Sequence, residues 1–399
     1  HASMQLPNLQ VISLSLCWLG ADHPDPHSYH LETVAALLRC FCKGTELMLR
    51  NLDYNLDDLR EAGFERWGGG DGRPVGVFWD WASLYQESPA VARTPEQVAL
   101  VQNALVNYDI WFAHKRTVTW MLTYLPGDET AAMNPETTEA APEDNAQLRR
   151  PEAAVEAAAP GNTEILSPKS CGGGSSSLRP GDSFSPVPYN EGGLTALQQH
   201  LALFLSTPQD ILNITAGVRE NILAEQGEEP ELFETDEDGL FCETEEHKCW
   251  AACAAVERGN YLQVCLNTMW QERGAPMSPE EFATLINDRK TFAPQTDVDA
   301  LAASLYAKAF KALVGGSPSI RYWSVGFRDR HIRPFINVLA THCKVLLSLD
   351  LSHNKIKLPL EEWGKALKAL PRLEKLNLGG NEELEGNVRA MASLKGLKE

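Results

Sequence analysis

The run Val77–Trp79 is apolar without the in-and-out alternation of a half-exposed strand, which is typical of a strand covered on both faces. Together with Val11–Leu19 and Arg116–Leu125 it gives three predicted strands. Between them, apolar residues recur at helical spacing over Tyr29–Cys42 and again after the capping box Thr94-Pro95-Glu96-Gln97. This order, β-α-β-α-β, predicts an α/β fold with a doubly wound parallel sheet.

Helical periodicity returns later, over Leu194–Leu205 and at several places within 207–315. The intervening residues 127–186 are rich in Ala, Glu, Pro, Ser and Gly and nearly lack aromatic side chains. Such a composition buries too little apolar surface to offset the entropy lost on ordering. We therefore expect residues 4–206 to form the α/β domain with a disordered insertion over 127–186, and residues 207–315 to form a helical extension.

The last part of the chain, 316–399, repeats a leucine pattern of the form L-x-x-L-x-L-x-x-N after about 27 residues, a typical leucine-rich repeat period. The matching positions are Leu346, Leu349, Leu351, Asn354 and Ile356, followed by Leu373, Leu376, Leu378 and Asn381. Each asparagine is expected to bond backbone groups inside its turn, while the leucines fill the core. Leu394 and Leu397 begin another unit near the last residue, so we expect a truncated array of repeats.

Composition narrows the function classes. The net charge of −19 over 399 residues disfavours nucleic-acid and anionic-membrane partners, because phosphate groups are bound by clustered Lys and Arg. No apolar run reaches the roughly 18 residues of a membrane span, and no secretion signal is recognised. The nine cysteines lack the spacing of a disulfide framework, which predicts reduced thiols and a cytoplasmic location.

Polar side chains cluster near the ends of the predicted strands, and open parallel sheets hold ligands at the carboxyl ends of their strands. The candidates for a nucleotide or nucleoside site are Trp18, His23, Asp80, Ser83, His114 and Arg116. The same residues could instead form a structural hydrogen-bond cluster in which Asp80 caps the turn after its strand. No phosphate-binding Gly-rich loop and no nucleophile elbow is present in the sequence.

Two groups of side chains could bind a metal ion, although the sequence favours other roles for both. The first is the loop with Asp22, His23, Asp25, His27 and His30, which is stiffened by two prolines and reads as a polar rim of the sheet. The second is the set Cys242, His247, Cys249 and Cys253. Cys249 and Cys253 lie one helical turn apart beside Trp250, a pattern typical of buried helix thiols. We therefore predict no metal site.

Several segments together resemble a poorly characterised family of proteins from unicellular algae and other protists. The resemblance covers roughly residues 11–315 without the insertion, and it implies an N-terminal domain similar to TIR and nucleoside-deoxyribosyltransferase-like folds. The segments that carry it are Cys17-Trp18-Leu19, His23-Pro24-Asp25-Pro26, Phe78–Gln86, Arg93-Thr94-Pro95-Glu96, Ala113-His114, Pro276–Phe282, Thr291-Phe292 and Asp297.

Related enzymes of that fold group cleave N-glycosidic bonds, often in NAD, with a glutamate near the start of a later helix. The family pattern resembles Tyr, two residues, Arg-Gly-Trp, and a glutamate four residues after the Trp. In this chain Tyr189 opens the pattern, Gly192 replaces the Arg, Leu194 replaces the Trp, and Gln198 replaces the glutamate. A neutral amide cannot act as a nucleophile or stabilise an oxocarbenium-like centre as a carboxylate does. Glu191 is a nearby carboxylate, but it is out of register.

We therefore expect a non-catalytic interaction or signalling protein that binds a protein partner through its leucine-rich repeats, without a cofactor. The alternative is a hydrolase or transferase that acts on the N-glycosidic bond of a nucleoside or NAD-like ligand, with Asp80, Glu191 and Gln198 as the candidate catalytic residues. The carboxylates that meet in the sheet crevice distinguish the two hypotheses.

Overall fold

The computed structural model describes residues 10–20, 23–38, 75–86, 92–114, 116–127, 186–205, 210–227, 273–290, 301–394 and 396–398. Several sequence predictions lie outside these residues. They are nearly all of the insertion over 127–186, the candidate ligand Asp22 and the set Cys242, His247, Cys249 and Cys253.

Four parallel strands form the first sheet in the order β2-β1-β3-β4. Their bounds are β1 Gln10–Leu16, β2 Val75–Phe78, β3 Thr117–Leu122 and β4 Ile211–Ile214. The helices along this part of the chain are α1 over residues 29–38, α2 Asp80–Ser83, α3 Pro95–Val106, α4 Tyr108–Ala113, α5 Gly193–Ala202 and α6 Ala216–Gly227. The predicted α/β class with a parallel sheet is confirmed.

The sheet continues past the domain boundary predicted at residue 206. Strand β4 pairs with β3 from Thr119↔Ile211 to Leu122↔Ile214, and α6 follows at once. The boundary prediction was therefore too early. The strand is only four residues long, and Asn213 interrupts its apolar run, so hydrophobic periodicity does not reveal it.

The two faces of β1 differ in chemistry although every residue from Ile12 to Leu16 is buried. Ile12, Leu14 and Leu16 belong to a core cluster that also contains residues of α1 and α6. Ser13 and Ser15 point to the opposite face, because successive side chains of a strand alternate in direction. There, the Ser13 hydroxyl donates to the backbone carbonyl of Trp111 on α4. Strand β1 therefore places hydroxyl groups on the face covered by α4 and α5.

The C-terminal part contains a second parallel sheet in the order β5-β6-β7, preceded by helices that join it to the first sheet. The two preceding helices are α7 Pro279–Arg289 and α8 Ala302–Phe310, and α8 continues into a wider π-helical turn over Lys311–Gly315. The remaining strands and α-helices are β5 Ser319–Arg321, α9 Asp329–His342, β6 Ser348–Asp350, α10 Leu360–Ala366 and β7 Lys375–Asn377, and two short 3-10 helices cover Leu367–Ala369 and Val388–Ser393.

Corresponding positions of the second sheet have the same backbone conformation. The residue three positions after each strand takes a left-handed conformation: Ser324 with φ 53°, His353 with φ 56° and Gly380 with φ 71°. Just beyond, Asn354 accepts bonds from the backbone N–H groups of Val325 and Phe327 at 3.0 Å each, and donates from its amide to backbone carbonyls. The turns are thus built on one plan.

One apolar core runs from the α4–α5 face of the first sheet to the second sheet. Tyr306 of α8 stacks on Phe282 of α7 with ring centroids 4.0 Å apart, and it also contacts Phe204 just after α5. Arg273 is 3 % exposed, and its guanidinium lies 3.4 Å from the carbonyl oxygen of Leu203 and 5.8 Å from the ring of Tyr322. The helical segment therefore packs both sheets into one body.

Candidate functional site

The candidate site is built around Asp80, the first residue of α2, which directly follows the carboxyl end of β2. The backbone N–H of Trp81 donates to Oδ1 of Asp80 at 2.7 Å, and the hydroxyl of Tyr108 donates to Oδ2 at 3.0 Å. The side-chain amide of Gln198 donates to Oδ2 at 3.3 Å. Both carboxylate oxygens therefore have donors within the chain.

Five side chains are connected by hydrogen bonds that share one direction. The hydroxyls of Tyr189 and Ser15 lie 2.7 Å apart, and Ser15 donates to Oε1 of Gln198 at 2.7 Å. Since Ser15 uses its proton on Gln198, Tyr189 must be the donor to Ser15. At its other end Gln198 donates to the hydroxyl of Tyr108 at 2.6 Å, and Tyr108 donates to Asp80. We call these five residues the Asp80 chain.

The direction of the Asp80 chain requires an acceptor at its end, and an ionised carboxylate is an acceptor only. Burial raises the pKa of the Asp80 carboxyl, while the hydrogen bonds from Trp81, Tyr108 and Gln198 act in the opposite direction. Burial and the neighbouring Asp80 carboxylate both raise the pKa of the Tyr108 hydroxyl. The Tyr108 hydroxyl therefore stays protonated and donates a hydrogen bond to the carboxylate.

Gln198 fits this place because a carboxamide can donate and accept at once. It is 2 % exposed, and both of its polar atoms are used. A glutamate at this position would set a second carboxylate against Asp80, and close like charges cannot both ionise at low cost. In this arrangement every polar side-chain atom of Asp80 and Gln198 has a hydrogen-bond partner within the chain.

The structure brings Asp80 and Gln198 together, but Glu191 does not join them. Glu191 is exposed in the turn before α5, where its backbone N–H bonds the carbonyl of Pro188. His114 and Arg116 are also exposed, and the backbone N–H of Arg116 bonds Nδ1 of His114 at 3.2 Å. These three side chains were candidates in sequence, and none of them has a bond to the Asp80 chain among the described residues.

The remaining candidates lie nearer to Asp80 but serve the local turn. Ser83 accepts a bond from the backbone N–H of Trp79 at 3.1 Å, which closes the turn after β2. The ring of His23 lies against the indole of Trp81, with centroids 4.1 Å apart. Trp18 is half-buried in the segment after β1. Ser83 and His23 thus contact the turn that carries Asp80.

Ser15 and Tyr108 belong to the site but were missed in the sequence. Ser15 stands inside a buried strand, and a polar residue at such a position usually has a buried partner. Helical periodicity does not separate Tyr108 from the helix that follows Thr94. In the structure the chain breaks at Asn107, and α4 begins anew at Tyr108. Asn107, a residue type disfavoured inside helices, is the sequence feature at this break.

In the segment after β1, His23, Asp25 and His30 bond mainly to backbone groups. The backbone N–H of Asp25 bonds Nδ1 of His23, and Oδ2 of Asp25 accepts from the N–H of Leu31. His30 is fully buried, with Nε2 3.2 Å from the carbonyl of Cys17. In the part of the chain that the structure describes, no group of three or more His, Cys, Asp and Glu side chains could hold a metal ion.

Compared with models of protein families, with curated proteins and with solved structures, the chain has no significant match in any of the three. Its function is therefore inferred from its own residues and geometry. Within the described ranges, no helix is long and apolar enough to cross a membrane.

Proposed function

We propose that this chain is a non-catalytic interaction protein, in which the C-terminal sheet is a leucine-rich repeat surface that docks a protein partner. The observation that carries the proposal is the pair of equivalent asparagine turns. Asn354 bonds the backbone of its own turn and of the preceding one, and Asn381 bonds Ile356, Leu351 and Leu378 in the same manner. This is the role expected for the asparagine of each repeat.

The outward side of this sheet supports a docking role. Ile320, Leu349 and Leu376 point inward, while the residues on either side of each point outward. Parallel pairing aligns the outward residues in two rows, Ser319–Ser348–Lys375 and Arg321–Asp350–Asn377. Repeat units stacked in this way create an extended surface of polar side chains that is suited to a protein partner.

The first sheet supports the non-catalytic part of the proposal. A TIR-like domain is consistent with its strand order, since β1 lies inside the sheet and β2 at its edge. Its crevice, however, is occupied by the Asp80 chain, in which a neutral amide stands where the fold group uses a glutamate. The alternative function, cleavage of an N-glycosidic bond, draws only on Asp80, a half-buried carboxylate whose pKa is raised by desolvation.

The cytoplasm is the compartment we propose. Cys17 and Cys343 are free thiols, and both are buried. Burial raises the pKa of Cys17 to about 12 and that of Cys343 to about 11. Thiols with such pKa values remain protonated and unreactive at neutral pH, as suits structural cysteines in a reducing compartment.

The experiment is affinity capture from a lysate of the source cells, followed by mass spectrometry. We expect a protein that binds the wild-type chain and is lost with the double variant Ser319→Arg, Lys375→Glu, which alters exposed residues of the sheet face. Lys365→Glu, an exposed lysine on α10, is the matched control and should retain it. Equal capture by all three proteins would overturn the proposed docking surface.

A further inference from the structure

The outward face of the second sheet carries a large aromatic side chain, Trp323, two residues after β5. The guanidinium carbon of Arg321 lies 5.7 Å from the centre of its indole. The ring of His353, from the next turn, meets the indole nearly edge-on with centroids 5.9 Å apart. We call Arg321, Trp323 and His353 the Trp323 patch. Trp and Arg are the residue types in which binding energy concentrates at protein interfaces.

The backbone holds His353 in this position at a cost. A left-handed conformation is sterically disfavoured at a residue other than glycine, and His353 adopts it with φ 56°. Its ring lies over Gly380, where an added Cβ would come within 2.5 Å of Nδ1. A side chain at Gly380 would therefore displace the imidazole from Trp323. Strained residues cluster at binding sites, where the surrounding structure maintains them.

The C-terminal part of the chain has a net charge opposite in sign to that of the whole chain. Residues 316–399 contain 14 Lys and Arg against 9 Asp and Glu, whereas the complete chain has a net charge of −19. Beside the Trp323 patch, the carboxylate of Asp350 is already engaged. Its Oδ2 lies 3.4 Å from Arg321, and its Oδ1 accepts from the hydroxyl and the N–H of Ser352. The Arg321 side chain is still 59 % exposed.

We propose that the Trp323 patch is the centre of the docking surface and that it binds an acidic protein segment carrying an apolar side chain. The inference rests on the proposed docking function and specifies its partner. A carboxylate of the partner pairs with Arg321, and the apolar side chain covers the indole of Trp323. The net charge of the whole chain opposes a nucleic-acid partner, because the approach of a polyanion is repelled by the other regions.

The test uses a random peptide library displayed on phage, selected on the immobilised full chain. We expect the selected peptides to be enriched in Asp and Glu next to an apolar residue. In fluorescence anisotropy, Trp323→Ala and Arg321→Ala should each weaken binding of a selected peptide about tenfold. Trp323→Phe should retain part of the affinity. Unchanged melting temperatures of the variants show that the fold is intact.

Arg333→Ala is the matched control. Arg333 lies on α9, its side chain is 56 % exposed, and it pairs with Glu362 at 2.5 Å, so it resembles Arg321 in exposure and in having a carboxylate partner. Peptides that bind the sheet but are not acidic would overturn the partner chemistry and leave the docking function standing. Peptides unaffected by Trp323→Ala and Arg321→Ala would overturn the Trp323 patch. Equal displacement by single-stranded DNA would show that the surface attracts any polyanion, and would also overturn the proposal.

Discussion

Gln198 donates its side-chain amide to the carboxylate of Asp80 over 3.3 Å, across 118 residues of sequence. This bond connects α5 to the turn after β2, and it makes the amide a structural partner of the carboxylate. The same residue accepts from Ser15, so it also links α5 to β1. A side chain with three such bonds tolerates little change of charge, and this leads to the first prediction.

Gln198→Glu should destabilise the fold by about 2 kcal/mol or more at pH 7, because it removes the amide donor to Asp80 and sets a second, buried carboxylate beside it. The two carboxylates will share a proton, so the folded state binds more protons than the unfolded state. Stability of the variant should therefore rise as the pH is lowered towards 5. Urea unfolding at both pH values measures this effect.

Gln199→Glu is the control for this experiment, since Gln199 is the neighbouring glutamine on α5 and is only half-buried. It should change stability by less than about 1 kcal/mol at either pH. Equal unfolding midpoints for the two variants would show that the bond between Gln198 and Asp80 contributes nothing.

The second prediction concerns the stability of the fold at acidic pH. Burial lowers the pKa of His30 to about 4, against an ordinary value of 6.5, although Asp25 acts to raise it. Between pH 6.5 and pH 4 the imidazole is protonated in the unfolded state but neutral in the folded state. The free energy of unfolding therefore falls as the pH drops through this range. For a shift of this size the loss is about 2 kcal/mol at pH 5.

His30→Phe should reduce this acid sensitivity, because phenylalanine cannot take up a proton. The variant loses the bond to the Cys17 carbonyl, so its stability at pH 7 should be lower than that of the wild type. The measurement is the difference in unfolding free energy between pH 7 and pH 5. His27→Phe, at an exposed position of the same loop, should keep the wild-type difference.

The main features of the fold could be predicted from its sequence because long apolar runs mark buried strands. Strand β4 could not, since its four residues include Asn213. In the site, Asp80 was predictable because a carboxylate after a buried strand lies at the sheet edge. Its partner Tyr108 was not, because the pairing depends on a helix break at Asn107 that periodicity does not show. Long-range bonds of this kind arise from packing.

The third prediction compares the two asparagine turns. Asn354→Ala should cost about 3 kcal/mol or more, because the backbone N–H groups of Val325 and Phe327 and two buried carbonyls lose their partner. Asn381→Ala should cost less, since its carboxamide oxygen serves a single N–H, that of Ile356 at 3.2 Å. Thermal unfolding checks the order. The exposed Asn377→Ala is the control, and a larger loss for Asn381→Ala than for Asn354→Ala would contradict the prediction.

The fourth prediction tests how the two sheets are joined. Arg273→Met removes a buried guanidinium that bonds carbonyls at the end of α5 and faces Tyr322 beside β5. We expect the free energy of unfolding to fall by about 3 kcal/mol, because the buried carbonyls around Arg273 lose their hydrogen-bond donor. Hydrogen exchange should accelerate in both α5 and β5. Arg372→Met, at an exposed position, should leave the amides of α5 and β5 protected. Unchanged protection in the Arg273 variant would contradict the prediction that Arg273 couples the two sheets.

The last prediction concerns catalysis. The wild-type chain should produce no nicotinamide from NAD and no free base from nucleosides, because cleavage of an N-glycosidic bond needs a carboxylate at the reacting carbon. Asp80 is held by three donors, Gln198 is an amide, and Glu191 is turned to solvent. The measurement is product chromatography after long incubation, with a glycosidase of known activity as a positive control.

Variants separate the possible outcomes of this assay. Turnover by the wild type that disappears in Asp80→Asn or Glu191→Ala would refute the non-catalytic function, since it would assign the chemistry to a carboxylate of the crevice. Activity that arises only in Gln198→Glu would show that the crevice still admits a ligand and has lost only its charge. Turnover should be absent from all of these proteins, because both oxygens of Asp80 already accept bonds from the chain. A ligand that displaced Tyr108 or Gln198 from Oδ2 would leave a buried polar group without a partner.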